Sequence, residues 1–182
     1  MCELLEYVME RLFLVGYMGA GKTTIGKVLS KMAGLTFIDL DYYIEGRFRK
    51  TVSQLFAERG EEAFRTIEHN MLHEVAEFED VLVSTGGGTP CFFDNMAFMR
   101  QQGTTIYLQV SVEELTKRLE LFKRARPVLK NRSGEELKAF ITDSLAARSS
   151  FYEQAHLVFN ADKLMTDLDA KELSAQILQL LK

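Results

Sequence analysis

Cysteine is scarce in this chain. Cys2 and Cys91 are the only two among 182 residues, so no disulfide framework is indicated and a reduced compartment fits. Proline is equally rare, and both copies, Pro90 and Pro127, fall in connections between patterned segments. Basic charge is not in excess. Twenty-two Lys and Arg stand against 26 Asp and Glu, a net charge of −4. A general nucleic-acid-binding surface is therefore not expected, although a local basic pocket is compatible with that balance. No apolar run approaches the ~18 residues of a membrane span. The opening "MCELLEYVMER" holds three glutamates and does not read as a signal peptide. Repeats and low-complexity tracts are absent. The expectation is one soluble cytoplasmic domain, 47% hydrophobic and 26% charged.

What is present is an alternation. "RLFLV" (11–15), "TFIDL" (36–40), "DVLVST" (80–85), "TTIYLQV" (104–110) and "HLVFN" (156–160) are short strand candidates, mostly apolar on both faces, as buried parallel strands are. Helical patterns separate them: "KTTIGKVLSKMA", "VSQLFAERG" with "EEAFRTIEHNMLHEVAEF", "DNMAFMRQQG", "SVEELTKRLELF", and finally "LDAKELSAQILQLL". Such βαβα order predicts an α/β fold with a parallel sheet and helices on both sides. "SGEE" at 133–136 predicts a capping box, Ser133 as N-cap and Glu136 at N3. The segment 123–132, "KRARPVLKNR", carries five Lys or Arg in ten residues and little helical patterning.

Between the first strand and first helix lies "GYMGAGKT", Gly16 to Thr23, which fits G-x-x-x-x-G-K-[ST]. Glycines let such a loop turn its N–H groups towards phosphates, and the helix N-terminus adds a positive field. Gly19, Ala20, Gly21, Lys22, Thr23 and Thr24 are the ATP-binding candidates. Lys22 is expected at the β/γ-phosphates and the Thr23 hydroxyl on Mg²⁺. No strand ends in a Walker-B aspartate; the strand at 80–85 runs into "TGGG". Chain length favours a small-molecule or nucleotide kinase over a motor ATPase.

Five further motifs follow in order: "FIDLDYYIE" (37–45), "FRTIE" (64–68), "STGGGT" (84–89), "RARPVL" (124–129) and "ARSSFY" (147–152). Behind the phosphate loop they resemble shikimate kinases over nearly the whole chain. The resemblance implies ATP-dependent phosphorylation of the shikimate 3-hydroxyl, a step towards chorismate and the aromatic amino acids. It also implies a P-loop kinase fold, with a parallel sheet in order 2-3-1-4-5, a helical substrate-binding region at about 41–70 and a mobile lid at about 120–133. Two aspartates sharing one side of a strand end need separate partners. Asp39 is expected to face Mg²⁺, and Asp41 the attacking hydroxyl. Arg65 and Arg148 match the positions that clamp the shikimate carboxylate, a task suited to a planar guanidinium. Glu68, three residues after Arg65, is placed to orient it. Gly86, Gly87 and Gly88, at the C-terminal end of a central strand, are expected against the substrate ring. Arg126 belongs to the lid, over the phosphates, and is expected to take part in catalysis with Lys22 and Asp41. Arg118 is expected to stack on adenine, and "NADK" (160–163) to border it.

His69 and His73 share i, i+4 spacing, but "HNMLH" lacks the glutamate of a zinc-protease motif and no third ligand is evident along the chain, so a metal there is not expected. His156 reads as structural and Cys91 as an ordinary thiol. A gluconate-type sugar-acid kinase is the alternative, since it shares the P-loop and an anionic polyol substrate. Partners are expected to be small molecules, with no nucleic acid or membrane, and the state a monomer.

Overall fold

The computed structural model describes residues 11–122, 129 and 132–181. Arg126 and most of the basic segment lie outside them. Five strands form one parallel sheet: β1 (Arg11–Val15), β2 (Thr36–Asp39), β3 (Val81–Ser84), β4 (Thr104–Gln109) and β5 (Leu157–Asn160), in the order β2-β3-β1-β4-β5. That is the order the resemblance implied. Asp39 lies level with Ser84, and Leu14 with both Ser84 and Ile106, so the C-terminal ends of β2, β3, β1 and β4 come together on one edge. Ligands of open α/β sheets bind outside that edge.

Burial follows position in the sheet. β1 and β3 are buried almost throughout, β4 over its middle. The edge strands depart from the apolar expectation, since β2 has no fully buried residue and β5 buries only Phe159. An edge strand has a neighbour on one side only, and fewer residues cover it.

Helices surround the sheet. α1 (Lys22–Ala33) packs against α7 (Asp167–Leu180) and lies directly on the sheet at Gly26, where a β-carbon would collide with the Phe37 ring. α2 (Leu40–Phe48) lies beside α3 (Val52–Val75), which is broken at Gly60 (φ 77°), between the two helical patterns read there. α4 (Asn95–Gln102) covers β4, and α5 (Val112–Phe122) packs on α6 (Gly134–Tyr152). A 3₁₀ turn at Thr89–Cys91, not anticipated, follows the glycine triplet.

α6 starts where expected, with Ser133 as N-cap, but the predicted capping box is not formed: Ser133 makes no side-chain cap bond. Glu120 of α5 instead accepts the Gly134 N–H at 2.6 Å. His156 is structural, as expected: Nδ1 accepts from the Thr105 N–H at 3.2 Å, and the His156 N–H donates to Thr105 Oγ1 at 3.0 Å. No helix among the described residues is long and apolar enough to cross a membrane.

Candidate active site

The phosphate loop leaves β1 and enters α1 through Gly21, whose φ of 91° is left-handed. A side chain there would be strained, and its β-carbon would collide with Leu164. Lys22, buried to 9% exposure, donates from Nζ to the carbonyls of Gly16 at 2.8 Å and Tyr17 at 3.0 Å. Arg118 secures the loop from α5. Its guanidinium donates to the carbonyls of Gly19 (3.3 Å), Ala161 (2.8 Å) and Asp162 (2.9 Å), and to Glu114 (3.1 Å). One side chain thus ties the phosphate loop to the "NADK" turn. Its hydrogen bonds lie in the guanidinium plane; stacking on adenine would use the flat face.

The two aspartates are not neighbours on a strand. β2 stops at Asp39 and a helix starts at Leu40, so Asp41 sits in the first turn of α2. The reason is local: Asp39 is the N-cap, its Oδ1 accepting the N–H groups of Asp41 (3.2 Å) and Tyr42 (3.5 Å). Its other oxygen, Oδ2, accepts the Thr23 hydroxyl at 2.8 Å. The two residues expected on Mg²⁺ are therefore already in contact. Asp41 has a different environment. Burial first, then the charges of Asp39 and Glu68, raise its pKa to about 6, against the opposing pull of Lys22.

The glycine triplet separates two kinds of chemistry. A β-carbon at Gly86 would lie 2.9 Å from Glu68 Oε1 and 3.1 Å from Asp41 Oδ1. One at Gly88 would lie 2.7 Å from both terminal nitrogens of Arg65. Carboxylates border one end of this bare strip and a guanidinium the other. Gly88 has φ −87°, open to any residue, so space and not conformation requires glycine there. Gly87 lies against the phosphate loop, 3.2 Å from the Met18 nitrogen by the same construction. Arg65 donates to Glu68 Oε2 at 2.8 Å and to Glu61 at 3.3 Å, with the Phe92 ring 4.2 Å from its guanidinium carbon. Glu68, 1% exposed, also accepts the Thr89 hydroxyl at 2.6 Å. Glu68 orients Arg65 as expected from its spacing. Arg148 reaches the same region from α6, 5.6 Å from the Tyr17 ring centre. Burial pushes the Cys91 thiol up, while Arg148 and Arg65 both pull it down, so the fields of the two arginines meet there.

Sequence reasoning passed over three residues. Tyr152 donates its hydroxyl to the Gly87 carbonyl at 2.5 Å, and burial holds its pKa well above the ordinary phenol range. It closes the "ARSSFY" motif, which was the available signal. Thr89 and Asn95 brace Glu68 and the 3₁₀ turn: Asn95 Nδ2 donates to the Thr89 carbonyl at 2.8 Å. Thr89 closes the "STGGGT" motif, while nothing in the immediate sequence marks Asn95. A cavity of about 490 Å³ lies between α5, α6 and the ends of β4 and β5, lined by Tyr107, Ser111, Leu145, Asn160 and Asp162 among others; Asn160 and Asp162 belong to the "NADK" turn expected to border adenine, while the phosphate loop, the glycine triplet and the two clamp arginines do not border it.

The family model for shikimate kinase matches residues 18–182. The chain is 69% identical over 173 residues to the shikimate kinase of Parabacteroides distasonis, covering 95% of this chain and 100% of that protein. Its fold superposes on the crystal structure of shikimate kinase from Bacteroides thetaiotaomicron with a TM-score of 0.91 at 51% identity, covering 94% of this chain and 97% of the other. The Acinetobacter baumannii shikimate kinase, solved in complex with shikimate, gives a TM-score of 0.83 at 34% identity, over 95% of this chain and 93% of that one.

Proposed function

The chain belongs to the shikimate kinase family, and on that premise we propose how its site carries out the ATP-dependent phosphorylation of shikimate. The observation that carries the reading is the glycine strip, with Asp41 and Glu68 beside Gly86 and Arg65 against Gly88. A ring bearing hydroxyls at one end and a carboxylate at the other fits that polarity. Arg65 and Arg148 hold the shikimate carboxylate. Gly86, Gly87 and Gly88 let the ring lie on backbone. Asp41 accepts the hydrogen bond of the 3-hydroxyl and takes its proton as phosphate arrives. Gly19 to Thr24 hold the ATP phosphates through backbone N–H groups, Lys22 and Thr23. Lys22 leaves its two carbonyl partners for the β/γ-phosphates. Arg126, in the lid assigned to about 120–133, adds a second cation, and Arg118 flanks the adenine.

The donor set suits Mg²⁺. A hydroxyl and a carboxylate oxygen, Thr23 Oγ1 and Asp39 Oδ2, stand 2.8 Å apart, and this hard cation takes oxygen ligands, keeping waters and substrate phosphates for the rest of its shell. When bound it neutralises phosphate charge. Thr23 and Asp39 would hold it, Asp39 through water. We read the protein as a cytoplasmic monomer.

The test is ADP release with Mg-ATP and either shikimate or gluconate. Turnover with shikimate alone, stopped by EDTA and restored by Mg²⁺, is the expected result. Turnover with gluconate alone would overturn the assignment.

Gly88→Ala offers a sharper check of the strip. The added methyl meets the far end of a flexible side chain, so Arg65 gives way while the fold holds. Shikimate KM is expected to rise about ten-fold, the ~1.4 kcal/mol of one weakened charged contact, with the KM for ATP near wild type and the melting temperature lowered by a few degrees, because the displaced guanidinium also holds buried Glu68. An equal rise in both KM values would remove Arg65 from the clamp.

A further inference from the structure

Beside the substrate clamp lies a cluster that phosphoryl transfer does not use. His69 and His73 project from α3 one turn apart, their ring centres 4.3 Å apart. Asp94, just before α4, joins them: one potential ligand atom from each of the three lies within 4.8 Å of the others. The structure thus supplies the third ligand that the linear sequence does not show.

Each member is set up for a cation. Asn95 donates from Nδ2 to the Thr89 carbonyl at 2.8 Å, and a carbonyl can only accept, so Oδ1 is the atom facing His69 at 2.6 Å. His69 therefore carries its proton on Nδ1 and keeps a lone pair on Nε2. A second hydrogen bond of this kind fixes the tautomer of metal-binding histidines. His73 has a buried Nε2 with no hydrogen-bond partner, and its ring stacks on Phe98 at 3.6 Å. An unpartnered buried nitrogen is costly, and a metal ion would satisfy it. Asp94 is the N-cap of α4, yet its carboxylate makes no cap bond, and its exposed side chain has room to turn. Three atoms at this spacing each need to move by less than ~1 Å to reach the ~2.0–2.2 Å of zinc ligation, leaving a fourth position for water.

We propose that His69, His73 and Asp94 form a binding site for one divalent transition-metal ion of the Zn²⁺ class, separate from the Mg²⁺ of the ATP site. The two imidazoles are borderline donors and outweigh the single hard carboxylate, which favours Zn²⁺, Ni²⁺ or Cu²⁺ over Mg²⁺.

Equilibrium dialysis of the chelator-stripped full chain against micromolar Zn²⁺, followed by metal analysis, tests this. The expected result is one ion per chain, not displaced by millimolar Mg²⁺. His73→Gln and Asp94→Asn should each weaken binding at least ten-fold, and Asp94→Asn, a surface change, should keep the wild-type melt and zinc-free kcat. Cys91→Ser should bind as wild type, and Co²⁺ in place of Zn²⁺ should show no thiolate charge-transfer band. Absence of binding at 100 times the protein concentration, or binding lost in Cys91→Ser and kept in Asp94→Asn, would overturn the site.

Discussion

Asp41→Asn is expected to remove nearly all turnover and to raise the melting temperature. The loss of rate follows from the role proposed for this carboxylate, since removing a positioned general base typically costs 10²–10⁴-fold. The gain in stability follows from its environment. Burial and two neighbouring carboxylates raise its pKa from 3.8 to about 6, so at neutral pH the folded protein holds a charge it disfavours. That shift already includes the pull of Lys22, so the cost is of order 3 kcal/mol at most, and a net gain of about 1–3 kcal/mol is expected, a few degrees for a domain of this size. The sign with pH is fixed. A carboxyl whose folded pKa is raised contributes stability that is complete below about pH 4 and is lost as pH rises through about 6. The gap between variant and wild type should be absent at pH 4 and open fully by pH 7. Melting curves at the two pH values check it, and a gap independent of pH would show that something other than the charge is responsible. In the wild type, kcat/KM should fall about ten-fold per unit below pH 6, because it reports the free enzyme. The limb in kcat should lie lower, since bound cations favour the carboxylate.

Much of this site was legible because its signals are local. The phosphate loop is contiguous, and its glycines, lysine and threonine each act within a few residues of one another. The pairing of Glu68 with Arg65 was legible from their spacing on one helix, Arg65 itself from the resemblance. Contacts between distant segments were not. The sequence pairs Asp39 with Asp41 on a strand, but an aspartate followed by amides it can cap ends a strand and starts a helix, and that competition decides their geometry. Ser133 reads as half of a capping box, but its side chain makes no cap bond, and another helix satisfies a first-turn amide instead, Glu120 accepting from Gly134. Gly88 is expected from the sequence only against the substrate ring; the structure adds that Arg65 occupies the space its side chain would fill. Asp94 belongs with two histidines on a different element, and no spacing rule reaches that far.

Arg65→Met should have the other large effect, and it separates clamping from bracing. Loss of a charged contact to the shikimate carboxylate should lower catalytic efficiency by about two to three orders of magnitude, from the roughly 2–5 kcal/mol such pairs carry when one partner is removed. The fall should come chiefly through weaker shikimate binding, read as a higher KM. Arg65 has a second task. Glu68 is 1% exposed and its Oε2 accepts from Arg65 at 2.8 Å, so the single variant leaves a buried carboxylate with Thr89 as its neutral partner, a loss of about 3–5 kcal/mol of stability. A drop in activity alone would then not distinguish a missing clamp from a loosened fold. The double variant Arg65→Met with Glu68→Gln does. Gln keeps an oxygen for the Thr89 hydroxyl and removes the orphaned charge, so most of the stability should return while shikimate KM stays high. Glu68 is also one of the charges that raise Asp41, so the acid limb of kcat/KM should move to lower pH in Glu68→Gln. Activity returning with stability in the double variant would mean that Arg65 serves only to neutralise Glu68, and the carboxylate clamp would fall to Arg148.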